Sequence, residues 1–512
     1  MSINFIPNDP SAGATAPALR VQARLANRPS GRAAFSFSNT SPENTYAQGT
    51  NGFVYWQCRE AALAALIGWE GAAGNVARWQ GNRRTIALRH DAGVDLNAYY
   101  DRAGVSFFHM AIQGTTYFSG ASTDVVAHEV GHALLDAIRP QLWDAAFLEA
   151  GAFHEAFGDC IAVLAALSDR ETRIKLLAQT TTLKKKNFAE STAENLSEGI
   201  RKLAPDHNAA EPRHAWNDFR FQIPETLPFD GGPGELINEV HSFGMLFSGC
   251  FYDLIAAIFT TQAQRTEAAL LAAARTAGAL LADGARTAII TPRFFQSIGR
   301  AMVLADEQRN GGANRDRIRG AFERHAIMLG ANALLAPATV LAGGAPNVGR
   351  AASISAATRS DLGRRLGVPP GSRMSIGVAD LCGHRFAHVE HLQRVALGGI
   401  DRRLRGVSMP CRVTVLVGET GGRPAVMGEL PELTATEREV QTFVESLLKN
   451  DQIESPAVTS TRSKDRETGR PRRGKRAICR ETHRVATVAG KQTLVRVRFH
   501  CPAATGPAAA CK

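Results

Sequence analysis

Apolar residues along this chain recur in two different periods, and the change between them divides it. Between residues 122 and 140, Val125, Val126, Val130, Ala133, Leu134 and Ile138 fall on one stripe of a 3.6-residue helix. Ser122 or Thr123 can cap its start, and Pro140 stops it. A second helical run, 145–167, is almost wholly apolar, and a third is marked by Phe243, Met245, Leu246, Phe251, Leu254 and Ile255. Past residues 331–352, which are rich in Ala, Gly and Pro, the pattern changes. There 411–419 and 423–430 read as strands around a Gly-Glu-Thr-Gly-Gly turn, and 484–499 reads as a hairpin. Residues 434–453 between them read as a helix opening on a Thr434/Glu437 capping box. No internal repeat is visible.

The polar residues that interrupt these apolar faces carry the chemistry. Residues 128–132 read His-Glu-Val-Gly-His. Two imidazoles four residues apart share a helix face, so His128 and His132 can share one metal ion. Glu129 beside them can take a proton from metal-bound water. Five such residues also fit a surface helix with two solvated histidines. The apolar stripe argues instead for a packed helix, and buried imidazoles need partners. Glu155 and Asp159 stand four apart on the second helix, whose surface is a costly place for unpaired carboxylates. Glu155 is placed to be a third ligand, and Asp159 to accept the second ring N–H of a metal-bound histidine. Two histidines and one carboxylate leave a fourth position for water, which is the catalytic Zn2+ arrangement.

The stretch DVVAHEVGHALLD (124–136), followed by EAGAFHEAFGD (149–159), resembles the thermolysin-type gluzincin metallopeptidases and, more distantly, the fungalysins. The likeness continues at LNAYYDRAGVSFF (96–108) and INEVHSFGMLFSGCFYDLI (237–255), and spans roughly residues 50–330. It implies a thermolysin-like α+β fold. A mixed N-terminal subdomain would carry an edge strand and the active-site helix, and a helical C-terminal subdomain would form the second wall of a cleft. It also implies that Asn97 and the backbone of Ala98 bind an extended substrate as an added strand. His241, which by its residues alone reads as a capped core histidine, would stabilise the oxyanion. Arg201 would contact a substrate carbonyl. Three departures stand out. Residues 141–144 contain no Tyr for the oxyanion, His154 replaces an expected Asn, and Leu236 replaces an acidic partner of His241, leaving Glu239 or Asn238 to substitute. Asp124 matches a calcium ligand of the family, but no downstream acidic cluster is recognisable and Lys184, Lys185 and Lys186 oppose a divalent cation; Ca2+ is left uncertain.

The expected layout is an N-terminal extension (1–50), catalytic subdomains at 51–235 and 236–330, a linker (331–352), and a small α/β accessory module (353–512) with a basic linker at 455–478. A hydrophobic content of 44% and a charged content of 21% are ordinary for a globular protein. Asp253 and Arg275 interrupt the best apolar runs, so no membrane span is expected. The first residues lack a basic start followed by an apolar core, which points to a cytoplasmic protein or a non-Sec route of export. Eight Cys without C-x-x-C spacing argue against a disulfide framework or zinc finger. Cys382, His384, His388 and His391 read as a partly buried helix face. From residue 461 onward, 14 Lys/Arg against three acidic residues give +11, the formal charge of the whole chain. Such a segment can meet nucleic acid or an acidic partner. No aromatic residue between 455 and 476 supports base stacking, and a solvated linker is the simpler reading.

The expected activity is that of a zinc-dependent metalloendopeptidase acting on peptides or proteins. The alternative is a catalytically weak zinc-fold protein that binds partners through its basic C-terminal region. Glu129 favours catalysis, since a binding scaffold needs no base. An aminopeptidase on the same scaffold lacks its G-x-M-E-N segment here.

Overall fold

A computed structural model describes residues 2–330, 355–365, 368, 374–381, 384–420, 423–427, 433–454 and 481–501. The chain opens with β1 (Ile3–Phe5) paired to β2 (Arg20–Gln22), then β3 (Ala34–Phe37) and helix α1 (Asn51–Ala73), capped by Thr50. Strands β4 (Thr85–Arg89), β5 (Ala98–Tyr100) and β6 (Gly104–Phe107) follow, then a hairpin of β7 (His109–Ile112) and β8 (Thr115–Phe118). Residues 2–50 are therefore not a separate extension. β3 lies in the main sheet, parallel to β4, and the Gln57 side chain of α1 bonds both backbone groups of Ile6. Strands of three or four residues are too short to show a period-2 alternation, which is why the sequence pattern hides them.

Helix α2 (Thr123–Ile138) begins where Ser122 accepts from the Val125 N–H at 3.3 Å, and Pro140 starts a short 3-10 turn just past its end. Helix α3 (Leu148–Ser168) runs between α2 and a later helix, α6 (Val240–Thr260), and its first twenty residues are all buried. Phe153 on α3 meets Phe247 and Phe294 edge-on at centroid distances of 4.8 and 5.3 Å. Glycines set the spacing of these helices. A methyl on Gly131 would stand 2.8 Å from the Cα of Gly158, and one on Gly158 would stand 2.6 Å from the His128 ring. That close approach lets side chains from α2 and α3 converge between them.

Between α3 and α6 come α4 (Arg170–Gln179), β9 (Ser191–Thr192), α5 (Glu194–Leu203) and β10 (Arg213–His214). Then α7 (Glu267–Thr287), α8 (Phe294–Asn310) and α9 (Arg315–Arg324) complete a helical layer. By length and composition, α3, α6 and α7 are apolar enough to cross a membrane, contrary to the expectation from interrupting charges. All of the α3 window, 89% of the α6 window and 56% of the α7 window are buried inside the protein, so in α3 and α6 the apolarity builds the core.

The C-terminal region holds helix α10 (Ala356–Arg365) and strands β11 (Met374–Leu381), β12 (His384–Ala396), β13 (Ser408–Thr420) and β14 (Arg423–Met427). Helix α11 (Leu433–Lys449) and the hairpin β15 (His483–Val488) and β16 (Lys491–Arg496) follow. The sheet order is β11-β12-β13-β16-β15, with β14 on β13. His388 and His391 thus sit on a strand rather than a helix, because β12 pairs on both sides with long neighbours. Cys382 and the basic segment 455–478 lie outside the described residues. This C-terminal region packs firmly on the helices before it. Arg293 bridges Glu149 of α3 and Glu439 of α11, and Trp143 and Arg496 exchange two side-chain-to-carbonyl hydrogen bonds of 3.1 and 3.2 Å.

The last strand, β17 (Phe499–His500), leaves the module and joins the main sheet, whose order is β17-β5-β6-β4-β3. The strand expected to be an open edge, β5, is covered by the chain's own C-terminal residues.

Candidate active site

The α2 and α3 side chains converge on one carboxylate oxygen. Oε2 of Glu155 lies 3.2 Å from Nε2 of His128, 3.5 Å from Nε2 of His132 and 3.1 Å from Nε2 of His241. The i, i+4 spacing on α2 brings the first two together, with ring centroids 4.7 Å apart. His241 arrives from the first turn of α6, where Glu239 caps the helix by accepting from the His241 and Ser242 N–H groups. Glu155 and the three histidines are buried.

Each ring has a second partner that orients it. Asp159 Oδ1 meets His128 Nδ1 at 2.8 Å, and the Asp159 carboxylate accepts from Nη2 of Arg213 on β10 at Oδ1 and from its Nε at Oδ2. Glu239 Oε1 meets His241 Nδ1 at 2.7 Å, while Asn238 instead bonds the Pro224 carbonyl. Nδ1 of His132 faces Nδ1 of His154 at 2.9 Å. Two facing ring nitrogens need one donor and one acceptor. A histidine that ligates through Nε2 carries its proton on Nδ1, so His154 accepts there in place of a carbonyl or amide.

The electrostatics follow from this burial. Burial raises the Glu129 carboxyl to about 8, with Glu155 adding to it. Burial opposes a charge on His128, yet its bonds to Asp159 and Glu155 lift it to about 9. His132 falls to about 4, mainly through burial. Burial opposes ionisation of Glu155 and Asp159, but the surrounding imidazoles and Arg213 hold both well below the usual carboxylate range. Burial disfavours a charge on His241, yet Glu155 and Glu239 keep it protonated well above its ordinary range.

Both carboxylate oxygens of Glu129 and Nε2 of His132 are buried without a hydrogen-bond partner. Buried polar atoms are normally satisfied, and three of them beside Glu155 and His128 suit a divalent cation with a water on it. The donors, two imidazoles and one carboxylate, fit zinc. The His128–Glu129–His132 group is one of two metal-capable clusters among the described residues.

The other is Asp9, Asp124 and Glu194, at the start of α2. Asp124 Oδ2 accepts from the Ala193 N–H at 2.6 Å, and Asp9 arrives from the N-terminal region. Burial pushes the Asp9 and Glu194 carboxyls well up, with Coulomb repulsion inside the trio adding to it.

On the cleft side, Asn97 Oδ1 accepts from the Ala98 N–H, and its Nδ2 is buried without a partner. Arg201 is not brought to the cluster. It lies on α5, where its Nε donates to the Ala210 carbonyl at 3.0 Å. The guanidinium that reaches the site is that of Arg213. Both arginines lie in the same polar stretch before His241, and only the strand at 213–214, two residues long, distinguishes them. Residues 499–501 were also missed, since nothing in a period-2 pattern tells which sheet a strand joins.

Residues 102–333 match the family described as Fungalysin metallopeptidase (M36). No curated protein matches the chain. The match falls on the fungalysins, the more distant of the two resemblances, and supports a gluzincin-type metallopeptidase in general rather than a thermolysin-like one in particular. The protein is a zinc metalloendopeptidase, a hydrolase of peptide bonds whose substrates are peptides or proteins.

Proposed function

We propose that this zinc metalloendopeptidase works with His128, His132 and Glu155 as metal ligands, Glu129 as general base and His241 as the oxyanion donor. The observation that carries the assignment is the convergence of three imidazole nitrogens on one Glu155 oxygen, beside a buried Glu129 with no partner for either oxygen. Zinc, when bound, supplies a Lewis acid and lowers the pKa of a water.

The chain's own residues do the rest. Glu129 takes the proton of the attacking water and returns it to the leaving amine. His241, held by Glu239, presents an Nε2–H to the carbonyl oxygen as it gains charge. Asp159, clamped by Arg213, fixes the His128 ring. The Ala98 carbonyl and the Asn97 side chain would align an extended substrate along β5. The thermolysin-like subdomain layout is part of this proposal: α2, α3 and β5 form one wall and α6 with the helices after it the other. The binding-protein alternative draws no support from the family match.

The test is zinc content and peptide hydrolysis of the wild type beside Glu129→Gln. One zinc per chain is expected in both, with hydrolysis reduced about 10²- to 10⁴-fold in the variant and lost from the wild type on chelation. Absence of zinc from both proteins would overturn the ligand assignment. Equal hydrolysis would overturn the role of Glu129.

A further inference from the structure

We propose that residues 499–501 form a built-in pseudosubstrate that fills the cleft and holds the enzyme latent. The inference rests on the reading of β5 as the substrate-binding strand and goes beyond it by naming that strand's resident occupant.

β17 pairs antiparallel with β5, Phe499 opposite Tyr100 and His500 opposite Tyr99. The Cys501 N–H donates to the Ala98 carbonyl at 2.9 Å. The His500 carbonyl oxygen accepts from His241 Nε2 at 2.7 Å. A peptide poised for cleavage makes these same two contacts. The carbonyl of the reacting bond faces the oxyanion donor, and the next N–H pairs with the edge strand. In this chain the bond in that position is His500–Cys501. The Cys501 side chain, fully buried, lies among Glu129, Glu155, Asp159 and Arg213.

Side-chain packing fixes the register. The Phe499 ring stacks on His154 at 3.8 Å and on His132 at 5.0 Å, with the Arg496 guanidinium 4.0 Å over it. Trp143 closes the side, edge-on at 5.4 Å. Phe499 thereby covers one ligand and its orienting neighbour. The strand cannot drift out alone, because Arg496 is tied to Trp143 and the module is tied to α3 through Arg293. What is left of the cleft is a cavity of about 720 Å³ between Arg213, Glu239, His241, Asn208, Lys449 and His500. A second extended peptide cannot pair with Ala98 while β17 does, since an edge strand offers its free hydrogen-bonding side to one neighbour at a time.

The test uses the full-length chain and two variants: Phe499→Asp, which loses the stack on His154 and His132, and Cys501→Pro, which removes the N–H given to Ala98. Peptide hydrolysis should rise at least about tenfold in both, with zinc content unchanged. Hydrogen exchange should quicken in peptides covering 98–100 and 499–501, a readout independent of activity. A synthetic peptide of sequence VRFHCPAAT (497–505) should inhibit Phe499→Asp competitively. Faster exchange without faster hydrolysis in either folded, zinc-loaded variant would overturn latency. Unchanged exchange and hydrolysis in both would overturn the pseudosubstrate contact. Failure of the peptidase reading itself would show separately, as hydrolysis by Phe499→Asp that survives Glu129→Gln.

Discussion

Helix α2 carries two buried polar clusters less than two turns apart, and they solve the same problem in opposite ways. In its middle, Glu155 and Asp159 from α3 are surrounded by Arg213 and by the rings of His128, His132 and His241. At its start, Asp124 meets Asp9 and Glu194, and no described residue forms an ion pair with any of the three. Where cations are built in, the carboxyls stay ionised despite burial. Where none is, burial and mutual repulsion push Asp9 and Glu194 well up. A buried carboxylate is therefore a poor marker of charge by itself; its neighbours decide. The docking surface of the C-terminal module stands between the two extremes, with one guanidinium, Arg293, shared by Glu149 and Glu439.

Removing Arg213 would turn the first cluster toward the second. Arg213→Leu leaves Asp159 buried with only the His128 ring, and breaking a buried pair costs about 3–5 kcal/mol. The expected result is a loss of that size in unfolding free energy, with zinc affinity falling about 10- to 100-fold as the His128 ring loses its fixed orientation. Denaturant unfolding and a competitive zinc titration measure the two effects. A stability loss below about 1 kcal/mol would show that the histidines alone balance Asp159, and the contrast between the clusters would lose its basis.

How far each cluster was legible follows from where its members lie in the chain. His128, His132, Glu155 and Asp159 sit on two long helices with fixed i, i+4 geometry, so their residues and spacing foretold which side chains would meet. Asp9 and Arg213 lie on short or irregular segments, and no periodicity connects them to α2; Arg201, on a regular helix, drew attention instead, yet it bonds the Ala210 carbonyl away from the cluster. Glu239 was legible as one of two candidates, because a carboxylate just before a helix can serve as cap and histidine partner together. The least legible element was β17. Strand pairing between Tyr100 and Phe499 spans about four hundred residues, and neither local pattern nor composition encodes such a register.

Glu194→Gln tests the second cluster, with the opposite sign. The folded-state pKa values of Asp9 and Glu194 lie above their unfolded values, so the folded protein binds more protons than the unfolded chain between them. The associated stability is full below the ordinary carboxylate range and is lost as pH rises through the raised values. Glu194→Gln removes one of the repelling groups, so at neutral pH and above the variant should be more stable than the wild type by about 1 kcal/mol, and its stability should vary less with pH. Unfolding free energies measured across the acidic-to-neutral range read both outcomes. A variant less stable at every pH would mean that the trio is held by something other than shared protons.

The smallest effect is expected at the docking surface, where the comparison becomes quantitative. Burial, with Glu149 and Glu225 adding to it, pushes Glu439 up to about 8 even though Arg293 offsets part of the cost. Its folded value is raised, so the stabilisation it lends to docking is complete below the ordinary glutamate range and disappears as pH climbs through about 8. Arg293 is partly exposed, which screens the pair, and a change of about 0.5–1 kcal/mol between mildly acidic and alkaline solution is expected. Glu439→Gln should abolish that dependence. Hydrogen exchange at 499–501 is the sensitive readout, because β17 is held in the cleft by the same docked module. Exchange there should quicken with pH beyond its intrinsic base catalysis in the wild type and follow the intrinsic rate alone in the variant. A wild type that follows the intrinsic rate throughout would mean that one shared guanidinium suffices for two buried carboxylates, placing the docking surface beside the Arg213 cluster rather than between the two.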